Sequence, residues 1–480
     1  MEQKTLKSRE LFGERPVWGA IFALAAPSCV TILVMFVYNM ADLFFIGMSG
    51  NNAQVAAVSV VSPVFSLLTA LSTMLGIGGC SVIARTSGEG RAGDARAYAS
   101  LCFYAGIAFG LFCTAALLAG TDGVLRMFGA NEEILPFARS YMRILSGGAV
   151  FMLLPHVLSA IIRADGGIRE GLVGNMAGTL LNLVLDPVFI LTLHMGVAGA
   201  ALATVLGNVV STLLYMRYLW RNADRLGVNL RLALAKLPML LHILAVGLPN
   251  GVSSLLAGLA STFSNRLLVA YGTDAVAAMG AAGKATMIIS MIHMGICMGV
   301  QPMMAYNYGA GNEKRLREIL KKLGLLTVLI GCAAMLGCLF GRRAFIGMFL
   351  KNGEAAAMGE ALVPLLVAAS PVLGLYYMGT NFLQASGSAL AATLVSLLRQ
   401  GLILIPALFA LERVMGFTGI AAAHMTADLA SVAVALAVLL RQYRGFLRER
   451  AGLAESEKKR EEGDCDGKKG SPADYAGKCV

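Results

Sequence analysis

The stretch VWGAIFALAAPSCVTILVMFVYNMADLFFIG, residues 17–47, holds a single charged side chain, Asp42, in 31 residues. A helix needs about 20 mostly apolar residues to cross a bilayer, so this run is long enough to do so. Lys4, Lys7, Arg9 and Arg15 stand before it, and Leu24–Ser28 has the small residues of a leader cleavage site. The run nevertheless far exceeds the roughly 7–15 apolar residues of a secretory leader. It reads as a retained first membrane helix.

The same pattern recurs along the chain. Of 480 residues, 57% are hydrophobic and 14% are charged, against about 45–50% and about 25% in soluble domains. Mean hydropathy is +0.71. A soluble fold would have to bury every one of these helices, which surface-to-volume scaling forbids. Apolar stretches near 17–47, 54–84, 97–120, 136–162, 171–193 and 197–219 are followed by a second set near 239–270, 275–306, 317–341, 359–383, 388–411 and 417–440. The expected fold is all-α and membrane-integral, with twelve transmembrane helices.

Bases favour alternate loops. Arg85, Arg91 and Arg96 follow span 2; Arg163 and Arg169 follow span 4; Arg217, Arg221, Arg225, Arg231 and Lys236 follow span 6; Lys314, Arg315, Arg317, Lys321 and Lys322 follow span 8. The other loops are poor in bases, with Arg126, Arg139, Arg342, Arg343 and Lys351 as exceptions. The positive-inside rule then puts both termini in the cytoplasm of a plasma-membrane protein. The net charge of +11 follows from these basic loops and does not call for a nucleic-acid partner. The nine cysteines show no zinc or disulfide spacing: seven lie in or beside apolar spans, and Cys465 and Cys479 lie in the polar tail.

The two sets of spans repeat each other. Pro27 and Gly50 recur as Pro249 and Gly272 at a shift of 222; Gly88, Gly90, Ala164 and Gly166 recur as Gly309, Gly311, Ala385 and Gly387 at 221; Gly196 and Gly199 recur as Gly416 and Gly419 at 220. Six spans per repeat is an even number, so both halves insert with one orientation. Such repeats are related by a pseudo-twofold axis along the membrane normal. The expected domains are a cytoplasmic N-terminus (1–16), an N-lobe six-helix bundle (17–220), a cytoplasmic linker (221–238), a C-lobe six-helix bundle (239–440) and a disordered cytoplasmic tail (441–480). Two facing bundles suit a transporter working by alternating access, as a monomer in the lipid bilayer.

Ionisable groups at membrane depth mark function by default. Three acids fall well inside the spans: Asp42, Asp186 and Asp428. Asn175, Thr179, Asn182 and Asp186 are spaced 4, 3 and 4 apart, on one face of span 5, and Pro187 next to them is expected to kink the helix. Met35, Tyr38 and Asn39 share a stripe with Asp42 in span 1, and Thr204 adds a hydroxyl from span 6. These oxygens suit a hard cation such as Na+, or the carboxylates bind a proton. Asp428 differs, with His424 one turn before it and Arg399 in span 11; a proton relay and a structural pair are both open. Met287, Met291, Met294 and Met298 form a polarizable stripe on span 8, suited to packing or to varied ligands. The halves do not share this chemistry: Asp42 aligns with Ser264, Asn182 near Gly401, Asp186 near Ile405 and Thr204 with His424.

The motifs YNMADLFFIG (Tyr38–Gly47), RADG (163–166), LNLVLDPVFI (Leu181–Ile190), GVAGAALATV (Gly196–Val205) and GVQPMMAYNYGAGN (Gly299–Asn312), in this order, resemble the multidrug and toxic compound extrusion (MATE) family, and within it the prokaryotic branch related to DNA-damage-inducible exporters. The resemblance covers residues 15–440. It implies a secondary active antiporter, not an enzyme, that exports cationic amphipathic drugs or toxic compounds and needs no cofactor beyond the coupling ion, Na+ or H+. It implies a coupling-cation site at Asp42, Asn182, Asp186 and Thr204. The stripes on spans 1, 5 and 8 add Met35, Tyr38, Asn39, Asn175, Thr179, Met287 and Met291 as candidates to line the substrate cleft. Another branch of the family carries an acid in span 7, which this chain lacks between Pro249 and Gly272. The alternatives are a lipid-linked precursor flippase, which needs a cleft lined with bases, and a membrane-embedded enzyme, which needs a reactive cluster. Reporter fusions at residues 222 and 443 should both report the cytoplasm; a fusion at 443 on the opposite face refutes the even span count.

Overall fold

A computed structural model describes residues 9–48, 52–128, 130–222, 228–350 and 353–467, with the side chains of 36–44, 46–48, 52, 55 and 453–467 outside the description. Every span is helical, the form that satisfies all backbone groups inside lipid. Ten helices are long and apolar enough to cross a membrane, and two bent pairs bring the total to twelve. The spans are Val17–Met48, Asn52–Gly88, Ala92–Ala119, Leu135–Gly147 with Ala149–Ala164, Ile168–Pro187 with Val188–Thr192, Val197–Arg221, Leu240–Val269, Thr273–Gly309, Glu313–Phe349, Gly353–Val367 with Ser370–Ala385, Ala389–Leu397 with Leu398–Leu402 and Leu404–Met415, and a last helix from Phe417 to Gly467.

Spans 4 and 10 are broken helices, each bent by 49°, where the sequence suggested continuous ones. The breaks fall at matching places in the repeat, at Gly148 and next to Ser370. At the first, Val205 of span 6 lies where a Gly148 Cβ would stand, 2.7 Å from its Cγ1. At the second, Pro371 opens the new helix, where it lacks only an N–H that would be unsatisfied anyway.

Packing repeats as the sequence does. In the first half span 2 lies on span 4, span 3 on 4, span 5 on 6, span 1 on 5 and span 4 on 6; in the second half span 8 lies on 10, 9 on 10, 11 on 12, 7 on 11 and 10 on 12. Two six-helix lobes result, in contact through spans 1 with 8, 2 with 7 and 2 with 8.

Glycines set how closely the lobes approach. A Cβ at Gly78 would run into the Ile243 carbonyl, one at Gly247 into the Met74 carbonyl, one at Gly88 into the Tyr306 carbonyl and one at Gly309 into the Arg85 carbonyl. A Cβ at Gly299 would stand 2.6 Å from the Leu24 carbonyl oxygen. These contacts lie toward the base-rich ends of spans 2 and 8. Gln301 ties the same region, donating to Ser81 Oγ at 3.0 Å and to Gln384 Oε1 at 3.2 Å. The turn Arg9–Glu14 crosses to the other lobe: the Phe12 carbonyl accepts from Asn307 Nδ2 at 2.9 Å and from Arg315 Nε at 2.7 Å.

One further detail departs from expectation. The segment from Arg441, read as disordered tail, continues the span 12 helix to Gly467. Phe446 is buried and stacks on Tyr308 at 4.7 Å, so apolar residues inside the charged stretch hold its first turns against the end of span 8; residues 468–480 lie outside the description. On the base-poor side, three of the exceptional arginines meet carboxylates, Arg139 with Asp122 at 2.7 Å, Arg126 with Glu132 at 3.1 Å and Arg343 with Glu360 at 3.4 Å.

Gly78→Ala and Gly247→Ala should each lower the unfolding midpoint in detergent, at a cost of about 1–3 kcal/mol for forced overpacking. Gly258→Ala, whose Cβ meets nothing within 4 Å, should leave the midpoint nearly unchanged.

Candidate functional site

Spans 5 and 6 run antiparallel along a seam of small residues. Tyr215 Oη donates to the Gly171 carbonyl at 2.7 Å, and Ser211 Oγ donates to the Gly174 carbonyl at 2.9 Å. One rung further, a Cβ at Gly178 would stand 2.5 Å from the Gly207 carbonyl oxygen. The next rung is polar: Asn182 Nδ2 donates to Thr204 Oγ1 at 3.3 Å. Asp186 follows one turn later on the same face and is fully buried. The glycines thus place Asn182 against Thr204, because small residues let the backbones close until short polar side chains meet. Its amide nitrogen engaged, Asn182 keeps its Oδ1 buried with no hydrogen-bond partner among the described residues. A buried acceptor left without a donor costs about 1–3 kcal/mol, and a bound cation would relieve that cost.

Of the four residues expected at a cation site, the structure joins Asn182 to Thr204 by a hydrogen bond and buries Asp186 one turn along the same helix. The side chains of Asp42, Tyr38 and Asn39 lie outside the description; their helix, span 1, packs along span 5. Asn175 and Thr179 are half-buried on the same face of span 5, and Asn175 Oδ1 is also without a partner. Pro187 does not bend the span sharply. The chain passes it as a wide turn, Val188–Thr192, closed by Leu193 N to the Val188 carbonyl at 2.9 Å.

The second half builds a different set. A wide turn at Leu398–Leu402 carries Arg399 into the lobe. Its Nε donates to Asp428 Oδ1 at 2.7 Å and its Nη1 to Tyr377 Oη at 3.2 Å. Its guanidinium lies 4.7 Å from the ring centre of Tyr376 and 5.4 Å from that of Tyr377. Both partners of the ion pair are buried. A pocket of about 240 Å3 opens on this pair, lined also by His424, Gln400, Thr286 and Met287. Asp428 is bonded to Arg399, and His424 lines the same pocket. Met287 faces the pocket, whereas Met291, half-buried on the same helix, does not line it. Met35 is exposed at 36%.

Sequence reasoning missed the seam and the pocket lining. The seam had a signal, Gly174 and Gly178 one turn apart, the small-residue spacing of close membrane helices. The pocket residues Gln400 and Thr286 had none, since they meet Arg399 only through the wide turn.

The MatE family profile matches residues 27–188 and again 249–409, beginning in each half at the prolines that the repeat aligns. The multidrug export protein MepA of Staphylococcus aureus strain N315 is 30% identical over 394 residues, covering 82% of this chain and 87% of that protein. MepA of Staphylococcus saprophyticus is 29% identical over 396 residues, with the same coverage, 82% and 87%. Among solved structures, a MATE in complex with MaL6 superposes with a TM-score of 0.86 at 24% identity, covering 93% of this chain and 100% of that one. An outward-facing multidrug resistance MATE transporter of the MOP superfamily gives a TM-score of 0.84 at 24% identity, covering 92% and 99%.

Arg399→Met and Asp428→Leu should each destabilise the protein strongly, by about 3–5 kcal/mol, because each strands a buried charge. The double substitution should recover most of the loss. Unfolding midpoints of the three variants test this, and a double variant as unstable as the sum of the singles refutes it.

Proposed function

This chain belongs to the MatE family, the multidrug and toxic compound extrusion transporters, and from that premise we propose that it exports cationic amphipathic compounds across the cytoplasmic membrane in exchange for Na+ or H+. Its helices make it a multi-pass membrane protein, and its Staphylococcus relatives are named multidrug export proteins. The observation that carries the coupling is the polar rung of the N-lobe seam: a fully buried Asp186 one turn from Asn182, whose amide is engaged by Thr204 while its carbonyl oxygen is left over. Asp42, on the span that packs along span 5, completes this set. Na+ fits it through carboxylate, amide and hydroxyl oxygens; H+ fits it because burial disfavours a charged carboxylate.

In this reading both termini face the cytoplasm and the glycine contacts seal the cytoplasmic side. Alternating access rocks the lobes so that this seal opens as the opposite side closes, in a monomer that holds both lobes. The exported cation enters a cleft bordered by Met35, Tyr38, Asn39, Asn175, Thr179, Met287 and Met291. Drug and coupling ion compete for the same acids, and by linkage each weakens the other's binding by the same factor. The C-lobe contributes little to coupling, because Asp428 is already bonded to a guanidinium. That same bond weakens the flippase reading, since Arg399, the base at the C-lobe pocket, is committed to Asp428 and Tyr377.

In proteoliposomes, Asp186→Asn should abolish gradient-driven export of an ethidium-like dye while dye counterflow persists. Asp428→Asn should keep coupled export in whatever protein remains folded. Normal export by Asp186→Asn together with uncoupled export by Asp428→Asn places the site in the other lobe and refutes the proposal.

A further inference from the structure

A second pocket, of about 260 Å3, lies between spans 5 and 6 at their base-rich end. Arg169, Arg217 and Arg221 line it together with Glu170, Val173 and Leu214. The three arginines are exposed, and none of them has a hydrogen bond, ion pair or ring contact among the described residues. One carboxylate, Glu170, shares the lining with three guanidinium groups, so the concavity keeps a net positive charge that a bound anion would neutralise. Arginine offers a planar fork of N–H donors that matches phosphate oxygens two at a time.

What lies beyond the arginines identifies the anion's carrier. Val173, Leu180 and Val184 are 59%, 50% and 62% exposed and lead away from Arg169 along span 5 at spacings of 7 and 4, one stripe of the helix. On span 6, Leu213 is 60% exposed one turn before Arg217. An apolar track of this kind is useless to free phosphate and fits an acyl chain. Basic pockets between transmembrane helices at the cytoplasmic face are where anionic headgroups bind.

We propose that this groove binds one anionic glycerophospholipid, its phosphate held by Arg169, Arg217 and Arg221 and an acyl chain lying along Val173, Leu180 and Val184. The lipid bridges the ends of spans 5 and 6 and so braces the seam that sets Asn182 against Thr204. That the lipid comes from the inner leaflet rests on the orientation proposed above; the binding itself does not, so an assay in detergent separates the two.

The full-length protein in a neutral detergent is titrated with phosphatidylglycerol, phosphatidylcholine or inorganic phosphate. Its unfolding midpoint is followed, and bound lipids are counted on the folded species by native mass spectrometry. Phosphatidylglycerol should raise the midpoint saturably, with one lipid bound, and the other two should not. Arg169→Gln/Arg217→Gln/Arg221→Gln should weaken phosphatidylglycerol about a hundredfold, at roughly a factor of five per arginine; Arg342→Gln/Arg343→Gln at the opposite end should not. The mass count reads only folded protein, so a less stable triple variant still reports. An equal shift from inorganic phosphate, equal binding of phosphatidylcholine, or undiminished lipid binding by the triple variant overturns the proposal.

Discussion

Backbone-to-backbone contact at glycine is the constraint on which the rest of this molecule depends. Lipid tails are as apolar as leucine, so membrane helices gain little from hiding apolar side chains from the bilayer; they associate where small residues allow close packing and short hydrogen bonds. Here the same device works at two places. Between the lobes, Gly78, Gly88, Gly247 and Gly309 each meet an opposing carbonyl where a side chain would stand. Within the N-lobe, Gly171, Gly174 and Gly178 draw span 5 onto span 6. The first fixes how closely the two lobes approach. The second fixes where a polar site can exist, since Asn182 reaches Thr204 only because the rungs before it are short.

The duplication makes the lobes alike in packing and free to differ in chemistry. An ionised side chain at membrane depth costs roughly 2.5–3.5 kcal/mol on insertion scales, so each buried acid needs an account. Asp428 has one in the guanidinium of Arg399, which is held by a hydrogen bond and two aromatic rings. Asp186 is fully buried one helical turn from the Asn182–Thr204 hydrogen bond, whereas Asp428 lies against a guanidinium. An acid locked to an arginine is poor at exchange, because releasing it strands a buried charge at a cost of about 3–5 kcal/mol. That cost argues against exchange at Asp428 and is one support for the proposed N-lobe site.

Most of the architecture was legible in the sequence, and for one reason: a bilayer imposes length and apolarity on each span, and composition records both. The ordered recurrence of Pro27 as Pro249 and of Gly88 as Gly309 foretold the repeated packing. Where the chain departed from expectation, the deciding contact lay off the local pattern. Span 4 breaks at Gly148 because Val205 of span 6 crosses there, and nothing in the run around Gly148 shows it. The tail stays helical past Arg441 because Phe446 finds Tyr308, more than a hundred residues away in sequence. Arg399 reaches its acid through a wide turn that apolar periodicity does not signal.

The site was legible for the same reason in part. Spacings of 4, 3 and 4 put Asn175, Thr179, Asn182 and Asp186 on one helical face without any tertiary knowledge. Which of them become a site is a matter of depth along the seam. The rungs from Gly171 to Gly178 are spent on carbonyl contacts with Tyr215, Ser211 and Gly207, so the first place where side chains meet side chains is Asn182 with Thr204. A larger residue at Gly178 would hold the helices apart one turn short of that meeting and leave the polar face of span 5 without a partner. The glycines and the acid are thus parts of one device: the seam determines the distance, and the distance determines the chemistry.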